Sequence, residues 1–243
     1  MTKPLAIVFG GSRGIGAACV QALTADGFAV ALTYVSQAEA AQALAASLPG
    51  HAARAYRADV GDPESIAQVF KDASHDFGAP PNLVLANAGI NTLPGPMAQF
   101  PAADFRRLVE VNIVGAFNIL AEAARQVQDG GAIIALTTSL VRHAAPGLGP
   151  YSATKAAVES MIRSMAKELA GRKIRVNAVA PGPVDTDLFR FGKNDEAKAR
   201  SAAMSPFNRI GTPEEIAAVV GFLASEKSSW IHGQIIQPNG GLI

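Results

Sequence analysis

The sequence predicts an α/β fold: a doubly wound parallel sheet of about seven strands with helices on both faces, forming a single domain over residues 1–243. Two observations carry this. Short β-rich apolar runs alternate with longer stretches of helical spacing, which reads as successive βαβ units. The strand runs also hold few polar residues, as strands covered on both faces do. A length of 243 residues suits one α/β domain of this kind.

Residues 5–9 form the first strand run, which opens into Gly10-Gly11-Ser12-Arg13-Gly14-Ile15-Gly16, and helical spacing follows over 15–25. The second strand is expected at 28–34 and the next helix at 39–48, within an Ala-rich stretch that favours helix. After a third strand at 53–57, Asp62-Pro63-Glu64 places an Asp at the N-cap and Pro at the first helical position of a helix over 64–76. A fourth strand at 83–86, a long helix at 105–124 and a fifth strand at 132–137 come next. A second long helix at 151–169 leads to a sixth strand at 174–179. Residues 186–206 break the rhythm. They are polar and mixed in charge, and read as a lid or binding loop. Thr212-Pro213-Glu214-Glu215 opens the last helix, 213–224, with Glu215 at the capping-box spacing. A last strand is expected at 234–237.

Composition narrows the function classes. Lys+Arg number 21 and Asp+Glu 20, a formal net charge of +1, so nucleic acid and acidic membrane surfaces are not expected partners. The one cysteine, Cys19, excludes an intramolecular disulfide and a Cys-cluster metal site, and reads as a small buried hydrophobe. No apolar run reaches membrane-spanning length. Met1-Thr2-Lys3-Pro4 leads into a short strand run without the marks of a signal peptide, so the expected compartment is the cytoplasm.

Strand, glycine-rich turn and helix in succession form a Rossmann-type phosphate site. Glycines let a ligand approach the backbone, and the helix N-terminus offers free N–H groups to a pyrophosphate. The second strand ends at Thr33-Tyr34-Val35-Ser36-Gln37 without a carboxylate, which would repel a 2′-phosphate. Arg13 supplies positive charge and Ser36 a hydrogen bond, so NADP(H) is expected over NAD. Further on, Tyr151-Ser152-Ala153-Thr154-Lys155 puts a phenol and an ammonium on one helix face at i and i+4. An ammonium close by is expected to lower the phenol's pKa toward neutrality.

These motifs, with Asn87-Ala88-Gly89, Asn112 and Ser139 in the same order and spacing, resemble the short-chain dehydrogenase/reductase family over essentially the whole chain. Asp59-Val60, Pro181-Gly182 and Asn239-Gly240-Gly241 also fit. The resemblance implies roles. Tyr151 is the general acid/base, and Lys155 tunes it and binds the nicotinamide ribose. Ser139 polarises the substrate oxygen, and Asn112 anchors a water. Gly10, Ser12, Arg13, Gly14, Ile15, Gly16, Ser36, Asp59, Val60, Asn87, Ala88, Gly89, Pro181, Gly182, Val184 and Thr186 surround the cofactor, with Tyr151 and Lys155 at its reactive end.

Three departures stand out. Phe9 replaces a usual threonine, so one turn hydrogen bond is expected to be missing. Ala86 replaces the first asparagine of the usual Asn-Asn-Ala-Gly. The common 13-residue spacing to Tyr151 falls on Thr138, and Ser139 lies at 12. Ser139 is preferred because the intervening loop looks one residue short, with Thr138 as neighbour or substitute.

The expected activity is NADPH-dependent reduction of a small carbonyl to a secondary alcohol, reversibly and with no metal. The resemblance also implies a homotetramer or homodimer, with Trp230 at an interface or in the core. One alternative is a 3-oxoacyl-(acyl-carrier-protein) reductase, to which Arg172-Lys173 would offer a basic spot. Others are an NAD-dependent alcohol or sugar dehydrogenase and a non-catalytic NADP-sensing module. His51, His75 and His232 read as structural or surface residues. Arg142 and His143 border the substrate loop, and Phe189, Phe191, Met204 and Phe207 are candidates to cover it.

Overall fold

The computed structural model describes residues 3–243. Seven strands form one wholly parallel sheet in the order β3-β2-β1-β4-β5-β6-β7. They are β1 Leu5–Phe9, β2 Ala29–Tyr34, β3 Ala53–Arg57, β4 Pro81–Ala86, β5 Ala132–Leu136, β6 Arg175–Val179 and β7 Ile235–Ile236. The helices are α1 Gly14–Ala25, α2 Ala38–Ser47, α3 Pro63–Phe77, α4 Ala102–Val109, α5 Gly115–Gln126, α6 Leu140–His143, α7 Gly149–Leu169, α8 Asp187–Arg190, α9 Asp195–Ala203 and α10 Pro213–Ala224.

Strand alternation feeds two cores. Leu5, Ile7 and Phe9 join Ile66, Ile119 and Ile162 under α3, α5 and α7. Ala6 and Val8 join Leu23, Ala41 and Val220 under α1, α2 and α10. Both faces of the central strands are therefore apolar. The expected caps form: Asp62 accepts from Glu64 N at 3.0 Å, and Thr212 and Glu215 complete a capping box.

Two expectations need correction. The long helix expected at 105–124 runs from Ala102 to Gln126, and a π turn over Glu110–Val114 interrupts its α geometry. The loop at 186–206 contains two short helices, α8 and α9. Each is capped by a side chain, Thr186 accepting from Phe189 N and Asn194 from Ala197 N. No helix among the described residues is long and apolar enough to cross a membrane.

Candidate active site

Strand order reverses at β1, which lies between β2 and β4. In such sheets this switch point opens a crevice beyond the strand C-termini. A cavity of about 490 Å³ occupies it. Its lining includes Gly10, Ser12, Arg13, Gly14, Ile15 and Gly16 from the β1 turn, and Ser36 beyond β2. Asp59, Val60, Asn87, Ala88, Gly89 and Thr186 complete the sequence-predicted part of the wall.

The β1 turn is built for close approach. Gly10 has φ +74°, and a Cβ there would lie 2.9 Å from Ala88 Cα. A Cβ on Gly16 would overlap the Gly10 carbonyl oxygen and stand 2.7 Å from Asn87 Nδ2. Asn87 Nδ2 donates to Gly10 O at 2.8 Å, pinning this turn to the end of β4. The hydrogen bond expected to be missing at Phe9 is supplied from elsewhere. Gly10 N donates to Thr33 Oγ1 at 3.1 Å, and Gly11 N to Thr33 O at 3.0 Å. Phe9 instead fills the core against Phe70, with ring centroids 5.9 Å apart.

The first turn of α1 carries no side-chain cap and no acidic residue. Its free N–H groups therefore face the crevice, as an anion site requires. Arg13 is exposed beside them, with no ion-pair partner among the described residues. No carboxylate lies among the residues that end β2 and line the cavity, Thr33 to Gln37. The cradle fits a dinucleotide with a phosphorylated ribose.

At the other end, Tyr151 and Lys155 lie in the first turns of α7. Lys155 is 6% exposed and donates from Nζ to Leu136 O at 2.9 Å. Gly89 joins the two ends: a Cβ there would lie 3.2 Å from Lys155 Nζ and 3.3 Å from Asn112 Oδ1. Asn112, 1% exposed, sits in the π turn. Its Oδ1 accepts from Ile90 N at 2.9 Å, and its Nδ2 donates to Ile90 O at 2.9 Å and Thr154 Oγ1 at 3.2 Å. One side chain thus ties the α4–α5 helix, the segment after β4 and α7 together.

Burial pushes the Tyr151 phenol up to about 12 and the Lys155 ammonium down to about 8. The expected lowering of the phenol is thus reversed. Desolvation disfavours the charged form of each group, and the ammonium is aimed at the Leu136 carbonyl. At neutral pH the phenol keeps its proton and the lysine stays mostly charged.

Three hydroxyls follow β5. Thr137 donates to Glu159 Oε1 at 3.3 Å. Thr138 accepts from Leu140 N at 3.3 Å. Ser139 donates to Ala180 O at 2.8 Å and accepts from Asn239 Nδ2 at 3.3 Å.

The remaining predicted positions separate. Thr186 packs on Gly14, 3.2 Å from a Cβ built there. Pro181, Gly182 and Val184 lie outside the cavity lining, as do Asn112, Ser139, Tyr151 and Lys155, which meet it only through Gly89; Gly182 packs on Asn239, and Val184 joins the α1–α10 core. Arg142 is exposed and His143 half-buried at the end of α6. His232 is structural, with Nδ1 accepting from Val176 N and Nε2 donating to Ala166 O. Cys19 is buried, and burial pushes its thiol up to about 12, away from reactivity. Phe189 lies under Lys193 Nζ at 4.5 Å, while Phe191 and Met204 in the 186–206 segment, and Phe207 just after it, are exposed. Sequence reasoning missed Arg107, which lines the cavity one helical turn before Val111, and the Thr33 staple.

Comparison with known proteins agrees with this geometry. A family model described as enoyl-(acyl carrier protein) reductase matches residues 10–243. A short-chain type dehydrogenase/reductase from Picea abies is 40% identical over 250 residues, covering 98% of this chain and 92% of the relative. An NADPH-dependent aldehyde reductase-like chloroplastic protein from Arabidopsis thaliana is 39% identical over 253 residues, covering 98% and 94%. A short-chain dehydrogenase from Burkholderia cenocepacia, solved in complex with NADP, superposes with a TM-score of 0.90 at 32% identity, covering 98% of this chain and 97% of that one. A glycine cradle at the switch point, a Tyr-x-x-x-Lys pair beside it and full-length similarity converge on one conclusion: this chain is an oxidoreductase of the short-chain dehydrogenase/reductase family.

Proposed function

We propose that the enzyme reduces a small carbonyl compound to a secondary alcohol, reversibly, with NADPH as its cofactor. The carrying observation is Gly89, where the Lys155–Asn112 cluster meets the dinucleotide cradle. When bound, the nicotinamide supplies the hydride. Free N–H groups of α1 hold the phosphates, and Arg13 and Ser36 take the 2′-phosphate. Asp59 and Val60 flank the adenine. Pro181, Gly182, Val184 and Thr186 shape the loop at the nicotinamide end.

The protein handles the proton. Tyr151 keeps its phenol proton at neutral pH, the state a general acid needs for reduction. Lys155 then stabilises the phenolate with its ammonium and binds the ribose. Asn112 keeps Ile90 and α7 in register with that pair and anchors a water. A β5 hydroxyl polarises the substrate oxygen. The exposed apolar side chains Leu93, Phe191 and Phe207 favour an apolar carbonyl compound over a charged one.

The acyl-carrier alternative loses support because Arg172 is already committed. It donates to Asp129, Ala124 O and Val127 O, bracing the end of α5. The reading includes assembly as a homotetramer or homodimer. Trp230, at 97% exposed, is not a core residue of the single chain and suits an interface; sedimentation at the monomer mass alone would contradict assembly.

The test is fluorescence titration with NADPH and NADH, followed by a panel of ketones, aldehydes, quinones and acyl thioesters. NADPH is expected to bind at least about tenfold tighter. Turnover on a ketone is expected to fall about 10³-fold in Tyr151→Phe with NADPH binding retained. Tighter NADH binding, or NADPH binding with no turnover on any carbonyl, overturns the reading.

A further inference from the structure

Thr138 and Ser139 stand side by side, yet they face different tasks. A hydroxyl has one proton to give. Ser139, 1% exposed, gives its proton to Ala180 O at 2.8 Å. The reason lies in the ladder between β6 and β7. Ala178 N donates to Gln234 O, Ala180 N to Ile236 O and Gly182 N to Pro238 O. In this parallel register, the return bond to the Ala180 carbonyl belongs to the N–H of residue 238. That residue is proline and has no N–H. Ala180 is fully buried, so an unpaired carbonyl there would be destabilising.

The Ser139 hydroxyl takes the place of the missing donor. Its oxygen in turn accepts from Asn239 Nδ2, while Asn239 Oδ1 accepts from Gly241 N and Leu242 N. Ser139 is thereby directed over β6 toward β7. Lys155 Nζ sits on the opposite side, on the Leu136 carbonyl of β5 and beside Gly89 after β4. Using Ser139 to polarise a substrate would orphan the Ala180 carbonyl in every turnover.

Thr138 carries no such commitment. Its Oγ1 accepts from Leu140 N at 3.3 Å, which uses a lone pair and leaves the proton free. It is also the more exposed of the two, at 8%. We propose that Thr138 donates the hydrogen bond to the substrate oxygen, and that Ser139 is a positioning residue replacing the N–H that Pro238 lacks. The first half rests on the reductase reading; the second stands independently of it.

The experiment compares Thr138→Val, Thr138→Ser and Ser139→Ala with the wild type, using NADPH and the ketone nitroacetophenone as the probe. Thr138→Val is expected to lower kcat about 10²-fold with NADPH affinity within about threefold of the wild type. Thr138→Ser is expected to restore kcat to within about fivefold. Ser139→Ala should keep kcat within about tenfold and lower Tm by about 2–6 °C. In a Pro238→Ala background, where residue 238 regains its N–H, the Tm cost of Ser139→Ala should fall by at least about half.

A larger kcat loss in Ser139→Ala than in Thr138→Val, with NADPH binding intact in both, overturns the assignment. Comparable losses in both do the same. An equal Tm cost in both backgrounds overturns the role given to Ser139. If the wild type turns over neither the probe nor any other carbonyl, the reductase reading and the Thr138 half fall together. The Tm cycle then judges Ser139 alone.

Discussion

The two ends of the crevice are made of different material. The cradle end is backbone: free N–H groups, the positive-φ Gly10, and glycines whose missing Cβ atoms leave room for a ligand. The α7 end is side chain: Lys155 on a carbonyl, Asn112 clamping Ile90, and hydroxyls beyond β5. A surface of backbone fails when anything is added to it. A surface of side chains fails when a single hydrogen-bonding group is removed.

Gly16→Ala should show the largest effect, because the new methyl overlaps the Gly10 carbonyl oxygen and crowds Asn87. NADPH affinity is expected to drop at least about 100-fold, roughly 3 kcal/mol, in a fluorescence titration. Near-normal affinity would mean the cradle flexes and would break the contrast.

Asn112→Ala should act in the opposite sense, on turnover more than on binding. It deletes the three side-chain bonds that align Ile90 and α7. A fall in kcat of about 30-fold, roughly 2 kcal/mol, is expected with NADPH affinity changed less than about threefold. Equal losses in kcat and affinity would show that the two ends are not separately built.

Lys155 offers a pH test of the side-chain end. Burial lowers its pKa from 10.5 to about 8 in the folded chain, so the unfolded chain binds more protons between those values. Stability therefore rises as pH climbs through about 8, while the raised Tyr151 pKa acts only above pH 10. Between pH 8 and 10, denaturant melts of the wild type should gain about 2 kcal/mol relative to Lys155→Met. Parallel pH profiles for the two proteins would show that the buried ammonium is better solvated than its surroundings indicate.

Arg13→Ala, at the exposed rim of the cradle, should have the smallest effect. NADPH affinity is expected to fall about tenfold, roughly 1.4 kcal/mol, with NADH affinity unchanged. The NADPH difference should shrink at high salt. A matching loss for NADH would move Arg13 from the 2′-phosphate to the pyrophosphate.

The sequence exposed the cradle more fully than the α7 end. Strand runs, the Asp62 and Thr212 caps and the glycine turn are local signals, set by period and by cap chemistry. Where the sequence reading fell short, the cause was a partner far along the chain. Thr33 repairs the turn at Gly10 from the next strand. The proposal of Thr138, the residue at the common 13-residue spacing, over Ser139 draws its support from Pro238, about a hundred positions later. The phenol's direction of shift depends on burial, which an i, i+4 pattern does not report. The π turn is a change in backbone hydrogen bonding with no Gly or Pro inside it to mark it, so the helix reads as uniform.

That π turn is the equivalent of one inserted codon. Each helical residue advances the side-chain direction by about 100°. A π turn takes up that extra residue locally, so the α geometry on either side keeps its phase on the sheet. Deleting Val111 would let the helix close into regular α geometry with Asn118 and Ile119 still in place, while Asn112 would lose the widened turn that holds it against Ile90 and Thr154. The same deletion within α5, where no bulge is present to absorb it, would swing every following position by about 100°. Loss of one residue at the turn should therefore cost turnover more than stability, and loss of one residue in α5 the reverse.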